Sequence, residues 1–285
     1  PEAAILTIDG VGEWACTTWG LGQGNRLDLH AEQRFPHSLG LLYSALTYYL
    51  GFKVNSGEYK VMGLAPYGEP RYTHLFYDHL LDLKPDGSFR LDLSYFDFPV
   101  GQRLTNHRLH RLFGGPPRTP ETALTQRDMD LARSLQAVTE DIVLRMARHV
   151  RTQTQARHLC LAGGVALNCV ANGKVLREGI YDGLWMQPAA GDAGGALGAA
   201  LAVSYGARKL DRPADGLHDL MSGGYLGPAF SQAEIEAFLR AQGYPFEPLP
   251  DTDALAQATA HLLAEGKVVG WFQGRMEYGP RALGA

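Results

Sequence analysis

The sequence predicts an α/β protein with a mixed sheet, followed by the beginning of a second α/β domain. Apolar strand patterns at 5–8 and 158–162 each run into a glycine-containing turn. A long amphipathic pattern over 127–150 lies between them and is typical of a helix packed on a sheet. Strand, turn, helix and strand then alternate over 158–187, which indicates an α/β arrangement.

The N-terminal elements are predicted to begin with a β-hairpin. Residues 5–8 are apolar and partly β-branched, and they end at the turn Asp9-Gly10-Val11-Gly12-Glu13. Residues 14–19 alternate and predict the return strand, and a further short strand is expected over 26–30. Leucines and tyrosines at helical spacing predict a helix over 37–50.

The next segment is harder to assign from its pattern. Residues 59–64 predict a short turn of helix, inside a polar stretch that carries Glu58 and Lys60. From 70 to 120 the sequence is irregular and rich in Pro, His and Arg, which predicts a surface insertion.

The later elements are predicted from periodicity and punctuation. Ser231 and Glu234 have the spacing of a capping box, which opens a helix. In chain order we expect a helix at 166–177, a strand at 184–187, a helix of small residues at 193–205, a linker at 209–222, helices at 231–241 and 253–265, and a strand at 267–273.

The composition excludes two classes of partner. A formal net charge of −4 does not give the basic surface of a nucleic-acid binder. No apolar run approaches the ~20 residues that a membrane-spanning helix needs. Cys16, Cys160 and Cys169 show no CxxC spacing, so we expect buried, reduced thiols. No signal-peptide pattern is found, and a cytoplasmic location is expected.

Two glycine turns predict a nucleotide site. Gly163 and Gly164 follow a buried strand, where the missing Cβ atoms let the backbone approach a phosphate and aim N–H groups at it. The alternative is a tight strand-to-helix connection with Asn168 as a polar surface residue. The second turn, Gly191-Asp192, places a carboxylate at the start of a small-residue helix.

Asp9 admits two interpretations. Asp-Gly is common in hairpin turns, so Asp9-Gly10 can be purely structural. Its pairing with Asp192 favours function, because two acidic turns opening on one cleft can act on a metal or a nucleotide phosphate. We therefore predict that Asp9 and Asp192 meet over a glycine-lined crevice that holds a nucleotide.

Other charged groups are weaker candidates. Glu58 and Lys60 form either a shaped substrate loop or an exposed ion pair. Arg275, Glu277 and Arg281 suit an anion such as a phosphate, since guanidinium groups match planar oxygens, but a surface salt-bridge cluster is the alternative. The histidines at 107 and 110 lie in a polar, irregular segment and are predicted to be solvated rather than metal ligands.

Five ordered motifs carry a resemblance to a known family. The chain resembles the O-carbamoyltransferases of the nodulation-factor, cephamycin and nebramycin type. The motifs lie at 6–13, 56–68, 161–168, 191–200 and 274–284. The resemblance implies an actin-like ATPase (ribonuclease H-like) domain at 1–208, the linker at 209–222 and the start of a YrdC-like domain at 223–285, with both ends of the protein incomplete.

The resemblance also implies an activity. In such enzymes the YrdC-like domain makes carbamoyl adenylate from carbamoyl phosphate and ATP, with Mg²⁺. The actin-like domain then passes the carbamoyl group to a hydroxyl of a small molecule or sugar, for example in antibiotic biosynthesis. It holds an iron ion through an HxxxH motif and two aspartates, and that motif is expected upstream of this sequence.

The family's functional residues map onto this chain as follows. Asp9 and Asp192 match the aspartate ligands of Fe²⁺ or another divalent metal. With Lys60 they form the expected catalytic set. The residues expected to bind nucleotide or substrate are Gly10, Gly12, Glu13, Glu58, Gly163, Gly164, Asn168, Gly191, Arg275, Glu277 and Arg281.

Two other functions stay open at this point. A sugar kinase of the actin-like superfamily would use Asp9 to activate a hydroxyl for phosphoryl transfer. A non-catalytic nucleotide-binding module would bind without turnover. The general base and the acceptor are not identified by the sequence.

Overall fold

The computed structural model describes residues 2–212 and 218–282, and part of the predicted linker lies outside them. The chain divides into two compact units, Pro1–Pro213 and Ala214–Ala285. The strands are β1 (Glu2–Gly12), β2 (Ala15–Gln23), β3 (Arg26–Arg34), β4 (Leu81–Leu83), β5 (Phe89–Leu91), β6 (His158–Ala162) and β7 (Gly183–Met186). The α-helices are α1 (Leu39–Tyr49), α2 (Glu58–Leu64), α3 (Thr73–Leu75), α4 (His107–Leu112), α5 (Gln126–Thr154), α6 (Cys169–Arg177), α7 (Ala193–Leu201), α8 (Gln232–Gln242) and α9 (Thr252–Ala264).

Five strands of the first unit form one mixed sheet, in the order β3-β2-β1-β6-β7. β1, β2 and β3 pair antiparallel, whereas β6 is parallel to β1 and β7 is parallel to β6. A parallel neighbour needs a long crossover connection, which the helices between β1 and β6 supply. The predicted mixed α/β fold is confirmed, and the strand order is consistent with a ribonuclease H-like domain.

One face of the sheet is buried under α1 and α5. Leu6 and Ile8 of β1 are almost completely buried, as the two-residue period of a strand requires. Helix α5 buries Leu135 and Ile142, which lie two turns apart on its apolar face. Thr125 and Asp128 form a capping box that fixes the start of α5. This packing holds the end of β1 in a defined place.

The segment from 70 to 120 is not the predicted surface insertion. It forms α3, a π-helical turn at Phe76–Leu80, the hairpin β4–β5 and α4. Phe76, Phe89 and Phe113 are buried in the main core. The prediction was wrong because each short element contributes one or two core side chains, too few to produce a period.

Several element boundaries also differ from the prediction. The expected helix at 166–177 is a 3₁₀ turn at Gly164–Leu167 followed by α6, which begins only after Asn168. The expected helix at 193–205 is α7 followed by a π-helical turn at Ala202–Ala207. Short 3₁₀ and π turns follow hydrogen-bond geometry, which apolar spacing does not specify.

The second unit contains α8 and α9. The predicted capping box is present, since the Ser231 side chain accepts from the Glu234 amide and the Glu234 carboxylate accepts from the Ser231 amide. Neither helix contains a buried residue. The predicted strand at 267–273 is not formed, because no strand lies among the described residues of this unit to pair with its backbone.

The structure bears on two expectations from composition, which concern the cysteine thiols and membrane-spanning helices. All three thiols are free, but only Cys16 is buried, Cys160 is half-buried and Cys169 is exposed. The prediction of three buried thiols was therefore wrong for Cys169, which occupies the first turn of α6. Across residues 2–212 and 218–282, no helix combines the length and apolar character needed to cross a bilayer.

Candidate active site

Two parallel strands bring the predicted turns to one edge of the sheet. Thr7 of β1 is in register with Ala162 of β6. Asp9 lies just beyond Thr7, and Gly163 directly follows Ala162. Because the carboxyl ends of parallel strands meet at the same edge, this is where open α/β sheets place their ligands.

A cleft of about 830 Å³ opens at this edge and along one face of the sheet. Asp9, Gly12, Gly163, Gly191 and Asp192 all contribute to its walls. Two carboxylates that are far apart in the chain therefore line the same cavity, together with three of the predicted glycines.

Hydrogen bonds fix the Asp9 carboxylate at the mouth of the turn. Its Oδ1 accepts from the amides of Gly10, at 2.7 Å, and Gly164, at 3.2 Å. Within the described residues, Oδ2 has no hydrogen-bond partner. One oxygen of Asp9 is thus structural, and the other is available to a ligand.

Gly163 is required by the geometry of the turn. Its φ is +86°, a left-handed value that glycine adopts without strain. A Cβ atom here would lie 2.3 Å from the carbonyl oxygen of Ile8. The Gly163 amide donates to the carbonyl of Ala190 at 2.7 Å, which ties β6 to the Gly191-Asp192 turn.

The hydrogen bonds of the Gly163 and Gly164 amides limit the predicted contact with a phosphate. The amides of Gly163 and Gly164 already donate to Ala190 and Asp9. A phosphate can bind these two N–H groups only by displacing those acceptors. The missing Cβ atoms of this turn make room for the Ile8 backbone and the Asp9 carboxylate rather than for a ligand.

Asp192 lies at the N-terminus of α7, exposed to the cleft. Its side chain does not cap the helix. The following turn packs tightly, because a Cβ atom on Gly194 would lie 2.1 Å from the carbonyl oxygen of Ala189. The small residues of α7 therefore keep the Asp192 carboxylate close to the end of the sheet.

Comparison with known proteins identifies the family. The family model described as carbamoyltransferase N-terminus matches residues 1–201, and the one described as carbamoyltransferase C-terminus matches 260–285. The chain belongs to the carbamoyltransferase family.

Three curated relatives match nearly all of this carbamoyltransferase-family chain. An uncharacterized protein of Synechocystis sp. is 57% identical over 99% of the chain and 46% of its own length. Nodulation protein NolO of Bradyrhizobium diazoefficiens is 40% identical over 99% of the chain and 48% of its own length. Nodulation protein NolNO of Sinorhizobium fredii is 40% identical over 99% of the chain and 39% of its own length. The chain thus spans less than half the length of each of these relatives.

Asn168 of this family member is buried rather than a surface residue. Its Oδ1 accepts from the Ala171 amide at 3.0 Å and so caps α6. The same oxygen accepts from Nε2 of Gln136, and its Nδ2 donates to Oε1 of Gln136, both at 3.0 Å. A nucleotide that bonds to Oδ1 would have to replace one of these bonds, whereas the second N–H of Nδ2 is not used by them.

The structure does not place the other N-terminal candidates on the walls of the cleft. Oε1 of Glu58 accepts from Ser44 Oγ and from the Asn55 amide, which fixes the loop before α2. Lys60 is exposed on α2, and Glu13 is exposed in the hairpin turn with a φ of +45°. Gly10 adjoins Asp9 and donates its amide to that carboxylate.

The second unit holds the remaining candidates. Arg275 is exposed and donates from Nη1 to the carbonyl of Gly227 at 2.6 Å. Glu277 and Arg281 are half-buried. Their predicted contact with an anion stays a prediction.

The described residues do not form a metal site by themselves. Among them, no group of three or more His, Cys, Asp or Glu side chains converges. None of the described histidines therefore joins Asp9 in such a group. His110 instead forms a hydrogen bond with Thr105 Oγ1 at 3.0 Å. Asp9 and Asp192 are two of the four iron ligands that the resemblance implies, and the HxxxH motif that would supply the other two was not expected within these residues. The metal therefore stays a prediction.

Several polar residues of the cleft were not among the predicted site residues. Thr7 and Thr18 lie on paired strands with their hydroxyls 2.6 Å apart, and both line the cleft. Strand alternation marks Thr7, because it faces away from the buried Leu6. Arg212 adds a cation to the cleft, and nothing in its polar, linker-like segment signalled it.

Proposed function

We propose that this protein transfers a carbamoyl group to a hydroxyl of a small molecule or sugar, and that the cleft at Asp9 and Asp192 is the transfer site. Membership of the carbamoyltransferase family over residues 1–201 supports the reaction class. The convergence of two distant carboxylates on one glycine-walled cavity is the observation that carries the assignment to this site.

The proposed donor is carbamoyl adenylate. Water cleaves carbamoyl phosphate to carbamate and inorganic phosphate, and a carbamate oxygen then attacks the α-phosphorus of ATP and releases pyrophosphate. In the transfer step, the acceptor oxygen attacks the carbonyl carbon, forming a new C–O bond. The bond between that carbon and the adenylate phosphate oxygen breaks, and AMP leaves with the electron pair. The acceptor proton must pass to a base.

Residues of the cleft can accept the proton, make room for the carbamoyl group and supply charge for the leaving phosphate. The free oxygen of Asp9 and the exposed carboxylate of Asp192 can accept a proton or orient the acceptor hydroxyl. Gly191 lines the cleft, and a Cβ atom there would meet nothing within 4 Å, so its bare backbone leaves room for the planar carbamoyl group and its phosphate. Arg212 supplies positive charge for the leaving phosphate in the same cleft. The free thiols of the three cysteines fit the proposed cytoplasmic location.

Product analysis tests this function. The full-length protein is incubated with ATP, carbamoyl phosphate, Mg²⁺ and a panel of sugars and other hydroxyl compounds, followed by mass spectrometry and nucleotide chromatography. We expect a carbamoylated acceptor together with AMP and pyrophosphate. A phosphorylated acceptor together with ADP would instead show a kinase, and bound ATP without turnover would show a binding module.

A further inference from the structure

A buried chain of polar side chains connects three helices to the glycine turn. Tyr43 of α1, Gln136 of α5 and Asn168 are 5%, 1% and 8% exposed. Tyr43 Oη donates to Gln136 Oε1 at 3.1 Å. Gln136 and Asn168 then exchange two amide hydrogen bonds, each of 3.0 Å. Buried polar groups that are fully paired in this way rigidify the elements they connect.

The glycine turn is held at both ends. At its start, the Gly163 amide bonds to Ala190 and the Gly164 amide bonds to Asp9 Oδ1. At its end, Asn168 caps α6 and is itself held by Gln136. Inside the turn, the Ala166 carbonyl accepts from Asn172 Nδ2 at 2.7 Å. The bond to Gln136 is the side-chain link between the end of this turn and α5.

We propose that Gln136 is a positioning residue for nucleotide binding. Acting through Asn168, it keeps the Gly163–Gly164 backbone and the attached Asp9 carboxylate in the geometry that the nucleotide requires. This inference rests on the proposed function, since it assumes that the cleft binds the nucleotide part of carbamoyl adenylate. ATP, which carries the same nucleoside and α-phosphate, is the probe. It assigns Asn168 a role in holding the turn, because the hydrogen-bonding capacity of its Oδ1 is used inside the fold.

The Gln136 carboxamide both accepts and donates hydrogen bonds. Its oxygen accepts from Asn168 and Tyr43, and its nitrogen donates to Asn168. Methionine has nearly the same length and volume but can make neither strong bond. Gln136→Met therefore leaves the packing of α5 in place and removes the link to the turn.

The test measures ATP affinity by isothermal titration calorimetry, with folding checked by circular dichroism. We expect Gln136→Met to weaken ATP binding about tenfold, the effect of losing roughly one buried hydrogen-bonded partner. Thr139→Val is the matched control. Thr139 is also fully buried in α5, but within 2–212 and 218–282 its hydroxyl bonds only to the Leu135 carbonyl of the same helix. It should lose stability while ATP affinity stays at the wild-type value.

A double-mutant cycle separates positioning from a general loss of stability. If Gln136 acts through Asn168, adding Gln136→Met to Asn168→Ala causes no further loss of ATP affinity. Tyr43→Phe removes only the hydroxyl bond to Gln136 and should weaken binding by about threefold. This milder variant keeps the test available if Gln136→Met does not fold.

Two results would overturn the inference while leaving the proposed function in place. Wild-type ATP affinity in both Gln136→Met and Tyr43→Phe would show that the chain does not position the turn. Fully additive losses in the cycle would show that Gln136 acts independently of Asn168. A wild-type protein that binds no ATP would contradict the proposed function itself, and the positioning role with it.

Discussion

The side chains of Asp9 and Asp192 differ in their structural hydrogen bonds. Asp9 holds the amides of Gly10 and Gly164, so its removal also loosens the turn between β6 and α6. Asp192 is exposed, and its side chain does not cap α7. A change at Asp192 therefore reports on the chemistry of the cleft without a large structural contribution.

We expect Asp192→Asn to reduce carbamoyl transfer by about 100-fold or more, the usual range for losing a group that moves a proton. The melting temperature should stay at the wild-type value, because no structural bond of the side chain is lost. Transfer is measured with purified carbamoyl adenylate, so that adenylate formation is bypassed. The matched control is Asp182→Asn, an exposed aspartate paired with Arg157. Full transfer by the Asp192 variant would remove this residue from the mechanism.

The three cysteines should differ in reactivity. Burial raises the pKa of the Cys16 thiol, and burial also raises that of Cys160. Since the thiolate is the reactive form, both should react slowly at neutral pH. Exposed Cys169 should react first with a thiol reagent, giving one fast and two slow equivalents. Cys169→Ser should remove the fast phase, and its persistence in that variant would contradict the structure.

Among the elements, the segment from 70 to 120 shows most clearly where sequence patterns stop being informative. Long elements such as α5 and β1 were predicted because their apolar residues repeat over many positions. In this segment, isolated aromatic residues reach the core from short turns, so no period forms. Phe113 illustrates this, as its ring packs on those of Tyr49, Tyr72 and Phe76.

Phe113→Ala should therefore lower the free energy of unfolding by about 3–5 kcal/mol, the cost of emptying a buried phenylalanine site. Val100, which is 99% exposed in the same segment, provides the control variant Val100→Ala. Urea unfolding measures both. An equally small effect in the two variants would restore the original interpretation of a surface insertion.

The candidate site was predictable to a similar, limited extent. Asp9, Gly163 and Asp192 follow elements with clear patterns, and the structure places all three on one cleft. Asn168 was predicted to contact the nucleotide, with a polar surface position as the alternative, and the structure shows a buried residue that caps α6. An asparagine with any of these roles looks the same in sequence. The Asn168 partner Gln136 gave no signal, since a glutamine on a helix is ordinarily solvated. Contacts between distant elements depend on the fold and cannot be inferred from local spacing.

On the scale of the whole molecule, the two units differ in what they bury. The hydrophobic core extends from Ala4 to Ala190, entirely within the first unit. The helices of the second unit bury no residue. The stability of the first unit should therefore be independent of the second.

A chain that ends after Pro213 should melt within about 4 °C of the 285-residue chain, since such a shift corresponds to roughly 1 kcal/mol for a unit of this size. Differential scanning calorimetry measures the transition. A substantially lower melting temperature would show that the second unit stabilises the first.

Strand β3 forms one border of the sheet, and its pairing partner among the described strands is β2. Along it, Arg26 pairs with Asp28 and Arg34 with Glu32, and the register with β2 shifts at Trp19–Gly20. A second molecule adding a strand at this border would have to dehydrate these charges and match an irregular backbone. The border is thereby protected against runaway association into fibrils, even though its backbone groups are open to solvent.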